Sequence, residues 1–135
     1  MPEPTAPGDR LPFLIILDKQ GKEAGRFLLK DGENWVGIPV EEEDYNPTVD
    51  LEPYDTHNII SRRHAVIRKN GPDLSIEHAG KTNPTSINGV TLKIGKPVSL
   101  RDGDDVFFAD KIHTRYVFEK LPPPEEDVPT IEEIR

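Results

Sequence analysis

The chain has 135 residues, of which 34% are apolar, 14 are proline, 10 are glycine and none is cysteine. That is room for one compact domain with short tails, and it excludes a disulfide framework, a thiolate nucleophile and a cysteine-based zinc site. The net charge of −8 weighs against general nucleic-acid binding, which needs a basic footprint. No apolar run comes near the ~20 residues that a membrane helix needs. Met1-Pro2-Glu3-Pro4 has neither the basic start nor the apolar core of a signal peptide. The expected address is cytoplasmic, with no nucleic-acid or membrane partner.

Both ends read as tails. Residues 1–10 and 122–135 together hold seven of the fourteen prolines, and the last fifteen residues carry five carboxylates against Arg135. Segments this polar bury too little to order themselves. The folded part is therefore expected over residues 11–121. Its apolar residues lean towards β-branching, since the whole chain has 12 Ile and 9 Val against 10 Leu and 5 Ala. That balance favours strands.

Short apolar runs alternate with turn signals at the spacing of an all-β sandwich or barrel. Residues 12–17 (PFLIIL) predict an inner strand, and Asp18 to Gly21 turn the chain. Residues 26–30 (RFLLK) follow, ended by Asp31-Gly32, which reads as a hairpin signal. Residues 34–38 (NWVGI) stop at Pro39, and residues 49–51 give a short strand. Residues 64–69 (HAVIRK) alternate, with Ala65 and Ile67 facing away from Val66, and Asn70-Gly71 turns into residues 74–78 (LSIEH). Asn88-Gly89 separates Ile87 from residues 90–94. Residues 97–100 and 105–108 flank the turn Arg101 to Asp104, and residues 113–119 (HTRYVFE) close the domain. About ten short strands and no convincing helix are expected.

Three connections are longer than turns: residues 41–48, 52–61 and 79–86. Loops held by a rigid scaffold are where function concentrates. Ser61-Arg62-Arg63-His64 is followed about twenty residues later by Lys81-Thr82-Asn83-Pro84-Thr85-Ser86-Ile87-Asn88-Gly89, and later still by Asp102-Gly103-Asp104. In this order the motifs resemble the forkhead-associated (FHA) domain signature over residues 13–120. The resemblance implies a two-sheet β sandwich of ten to eleven short strands, with binding loops at one end for phosphothreonine peptides.

Residue by residue, the resemblance implies that Ser61 offers its hydroxyl to the phosphate and that Arg62 approaches the same group. Thr82 would line the slot for the threonine methyl, and Asn83 would hydrogen-bond the peptide backbone. His64 would brace the loop from inside, and Asn88-Gly89 would form a structural hairpin. A phosphate carries about −1.5 to −2 charge at pH 7, which suits a guanidinium and a hydroxyl. The sequence departs from the family pattern at three places. Ile38 follows Gly37 where the pattern has a phosphate-binding Arg, Pro84 stands in place of a Gly, and Ala109 occupies a position where Gly is usual. A missing charge-assisted contact costs about 1.5–3 kcal/mol. The acidic run Glu41-Glu42-Glu43-Asp44 adds repulsion, while Lys81, Arg62, Arg63 and Arg68 are available cations.

Two readings stay open. One is a non-catalytic interaction module, in signalling or regulated assembly, that binds a phosphorylated protein through Ser61, Arg62, Lys81, Thr82 and Asn83. The other is a phosphate-independent scaffold that binds a protein partner or self-associates. Read without the resemblance, Ser61 starts a strand or caps a turn and Arg62-Arg63 is a solvated face. No enzyme is expected: Ser61 and His64 lack an orienting acid and an oxyanion hole, and no nucleophile elbow, P-loop or HExxH motif is present. No cofactor is implied, and the four histidines lack metal-ligand spacing. In the C-terminal tail, Thr130 is a candidate phosphorylation site for self-association, and Val128, Ile131 and Ile134 a candidate docking motif.

Overall fold

A computed structural model describes residues 10–120 of the chain. The expectations for residues 1–9 and 121–135, including Thr130, lie outside the described residues. Eleven strands run in chain order: β1 (Arg10–Leu17), β2 (Glu23–Leu28), β3 (Gly32–Gly37), β4 (Val49–Asp50), β5 (Arg63–Asn70), β6 (Asp73–His78), β7 (Thr85–Ile87), β8 (Val90–Thr91), β9 (Val98–Ser99), β10 (Asp105–Phe108) and β11 (Ile112–Lys120). They form a six-stranded sheet in the order β2-β1-β11-β10-β7-β8 and a five-stranded sheet in the order β4-β3-β5-β6-β9. Helical turns among the described residues are two single 3-10 turns, Glu41–Glu43 and Glu52–Tyr54. The class is the all-β sandwich that the sequence predicts, and no helix among these residues is long and apolar enough to cross a membrane.

Alternation of side chains across each strand builds the core. Leu14 and Ile16 of β1 face inward with Val106 and Phe108 of β10, against Val36, Ala65, Ile67 and Ile76 of the other sheet. Phe13, Ile15 and Leu17 of the same run form a second cluster with Leu11 and Val117. The Arg26 guanidinium lies 4.6 Å from the Phe13 ring centre and bridges Glu23 at 2.6 Å and Glu119 at 3.0 Å. The guanidinium thus covers an aromatic face while keeping its ionic partners. This explains why β1 is apolar on both faces without lying between two sheets.

One turn expectation is corrected. Asp31-Gly32 does not close a hairpin, because β2 and β3 belong to different sheets. The buried side chain of Asn34 explains the crossing. Its Nδ2 donates to the carbonyls of Lys30 and Ile67, at 2.9 and 3.0 Å, and its Oδ1 accepts from the Lys30 N–H. Strand β3 is thereby fastened to β5 rather than to β2. Asn88-Gly89 is a true two-residue hairpin, with φ of 49° and 86° and Ile87 opposite Val90. Both central residues of such a turn need positive φ, which Asn and Gly tolerate. Strands β8 and β9 are shorter than their apolar runs suggest, because Leu92 turns into the core between Thr91 and Val98.

Candidate functional site

Three loops converge at one end of the sandwich: residues 38–48, 51–62 and 79–84. Gly37 lets the first two meet. A Cβ there would fall inside contact distance of the Arg62 carbonyl, so only glycine allows β3 to end against the entry to β5. The N–H of Ile38 then donates to the same carbonyl at 3.1 Å. The half-buried Ile38 side chain packs against the inter-sheet core. Position 38 supplies packing at this end of the molecule, not charge.

His64 joins the second and third loops. It is fully buried, its Nδ1 accepts from the Ser61 N–H at 3.1 Å, and its Nε2–H donates to the Pro84 carbonyl at 3.2 Å. Those two bonds fix one neutral tautomer. Burial lowers the His64 pKa below the ordinary histidine value; the Pro84 bond opposes that shift and the neighbouring His78 adds to it. The His78 ring stands edge-on at 5.4 Å, its Nδ1 is 2.8 Å from Thr85 Oγ1, and burial lowers its pKa as well. Ser61 Oγ lies directly over Gly80, where a Cβ would come within 2.8 Å of it. Backbone of the third loop therefore passes close beneath the Ser61 hydroxyl.

Asn83 closes the third side. Its Nδ2 donates to the Ile59 carbonyl at 2.9 Å. The Asp55 carboxylate accepts from the N–H groups of Ile59 and Ile60, at 2.9 and 3.1 Å, and so shapes the segment that leads to Ser61. Lys81 and Thr82 are exposed on the same loop as Asn83. Ser61, Arg62, Thr82 and Asn83 are thus carried by loops that bond to each other. Asn88 and Gly89 follow β7 at its far end from these loops, where the Asn88 side chain donates to Asp104 Oδ1 and accepts from the Asp105 N–H. Ala109 donates its N–H to the Pro84 carbonyl and adopts φ of 58°. It takes the left-handed conformation that glycine would take more easily.

Charge at this end is arranged around Arg62 and Arg63. Glu43, on the 3-10 turn of the first loop, places Oε2 4.0 Å from Arg62 Nη1 and Oε1 3.9 Å from Arg63 Nη1. The Arg63 guanidinium lies 4.1 Å from the Tyr45 ring centre, and Tyr45 Oη donates to the Arg62 carbonyl at 3.1 Å. Gly80 and Tyr45 escape a motif reading because each acts through a contact distant in sequence, with Ser61 and Arg62 respectively. A cleft of about 670 Å³ lies elsewhere, lined by Arg10, Leu74, Leu100, Tyr116 and Phe118 among others. It contains none of the residues expected at the site. Among the described residues no cluster of His, Asp and Glu has the makings of a metal centre.

A family model for the FHA domain matches residues 42–109. The chain belongs to the FHA domain family. Protein FraH of Nostoc sp. (strain PCC 7120) is 40% identical over 60 residues, which is 44% of this chain and 21% of that protein. The chain thus aligns with about a fifth of that curated relative. An FHA domain solved in a study of phosphothreonine-dependent FHA domain interactions is similar with a TM-score of 0.62 at 23% identity, covering 82% of this chain and 99% of that one. The yeast Pml1 splicing factor is similar with a TM-score of 0.68 at 16% identity, covering 86% of this chain and 85% of that one. These likenesses show the FHA fold.

Proposed function

We propose that the loop end of this FHA domain is a non-catalytic binding surface for a phosphothreonine-containing segment of a partner protein. The observation that carries the reading is the joining of the second and third loops by His64 and Asn83, which brings the loops bearing Ser61, Arg62, Thr82 and Asn83 together. In this reading Ser61 Oγ donates to a phosphate oxygen and Arg62 supplies the charge-assisted contact. Lys81 adds a second cation from the third loop. Thr82 bounds the slot for the threonine methyl. Asn83 commits its Nδ2 to Ile59, which leaves its amide oxygen for a peptide N–H. The FHA domain of the phosphothreonine study supports the class of ligand by likeness.

A second reading is favoured by one observation: Ile38 is packed against the core, where the family signature calls for a phosphate-binding arginine. On that reading the same surface binds a partner without phosphate. Calorimetric titration with a degenerate phosphothreonine peptide pool and its unphosphorylated twin separates the two. Phosphate-dependent binding weakened roughly tenfold or more by Ser61→Ala and by Arg62→Ala supports the first reading. No phosphate-dependent binding by the wild type, with such binding created by Ile38→Arg, supports the second. Signalling or regulated assembly, in the cytoplasm, is the setting proposed for either.

A further inference from the structure

We infer that Glu43 is an internal competitor for the arginine pair, and that the site favours a phosphothreonine flanked by lysine or arginine, which takes over the released carboxylate. The inference rests on the reading of the loop end as a phosphate-binding surface. One carboxylate faces two guanidinium groups at once, with one oxygen towards Arg62 and the other towards Arg63. Its position is set by more than those two pairs. The turn that bears it is closed by backbone bonds between Val40 and Tyr45, with Asp44 at φ of 53°. From that turn Tyr45 both bonds the Arg62 carbonyl and lies against the Arg63 guanidinium. Backbone and aromatic contacts therefore hold Glu43 opposite the arginines. The ion pairs themselves are exposed and contribute little.

A ligand anion that uses Arg62 must come close to this carboxylate or displace it. A phosphate brings about −1.5 to −2 charge and three acceptor oxygens, and so outcompetes a single carboxylate for a guanidinium. Displacement leaves Glu43 without its cations, on a turn that also carries Glu41, Glu42 and Asp44. A basic residue beside the phosphothreonine restores the balance, whereas an acidic one adds a like charge to that turn. The preferred ligand is therefore dipolar, with a dianion for Arg62 and a cation for Glu43.

The test uses the full chain and its Glu43→Gln variant, with thermal unfolding to show that both fold alike. Inorganic phosphate is titrated first, followed by the NMR signals of the arginine side chains. Removing a competing charge about 4 Å from the arginines should tighten phosphate roughly three- to tenfold at low salt, an effect that fades as salt rises. Two phosphothreonine peptides, one with lysine flanks and one with glutamate flanks, are then titrated into both proteins. The wild type should prefer the lysine-flanked peptide, and Glu43→Gln should narrow that preference by a similar factor. Equal phosphate affinities for the two proteins, or an unchanged flank preference, would overturn the inference. Failure of both proteins to bind either peptide would sink the phosphopeptide reading and the flank preference with it. Inorganic phosphate would still report on Glu43 in that case.

Discussion

Two single residues, Gly37 and His64, decide how the loop end is assembled. Gly37→Ala places a methyl group against the Arg62 carbonyl, and rigid backbone cannot yield as a side-chain tip can. A loss of about 2–3 kcal/mol is expected from a urea midpoint, together with weaker peptide binding, because the strand end and the Ser61 loop part together. His64 gives the stability a pH dependence of definite sign. Burial holds its pKa below the ordinary value, and the pKa of His78 is lowered likewise. As pH falls below about 6.5, the unfolded chain takes up protons that the folded chain refuses, so stability declines until the folded pKa is passed. Urea midpoints measured from pH 8 to pH 5 should therefore fall. His64→Gln should flatten that fall while lowering stability at pH 8, since the bonds to Ser61 and Pro84 are disturbed. A pH-independent midpoint over that range would contradict the buried neutral tautomer.

At the level of elements, the strands are short and the loops between them are shaped by side chains. Three of the four sheet edges, β4, β8 and β9, are two residues long. So little free ladder offers a poor template for unwanted pairing. The loop of residues 51–62 holds its form through Asp55, whose two oxygens accept the Ile59 and Ile60 N–H groups. Asp55→Ala removes both bonds and should cost about 1.5–3 kcal/mol. Amide exchange should show lost protection at Ile59 and Ile60 ahead of the strands, because the damage is confined to the loop. Strand positions were legible in the sequence, since buried positions alternate along β6 and turn residues punctuate the runs. Asp31-Gly32 misled because the same dipeptide serves a hairpin or a crossing between sheets. The choice was made by Asn34, which bonds to Ile67, 33 residues away.

For the whole molecule, one core shared by both sheets predicts that unfolding is a single event. Phe108 of β10 is fully buried and its ring lies 5.9 Å from that of His64, so it links the core to the loop end. Phe108→Ala should cost about 3–5 kcal/mol and lower both sheets in one transition, seen as coincident curves by circular dichroism and Trp35 fluorescence. Separate transitions would mean that the sheets are stabilised independently. The sequence by itself determined the class, because β-branched runs of strand length, broken by Gly, Asn, Asp and Pro, have few other folded outcomes. It also carried the ordered motifs of the FHA family, which are local patterns. The tertiary structure alone decided which strands share a sheet, that Ile38 packs against the core, and that Glu43 stands between Arg62 and Arg63. Those outcomes depend on contacts between residues far apart in the chain, and such contacts form only when two sheets close on one core and bring their loops to the same end.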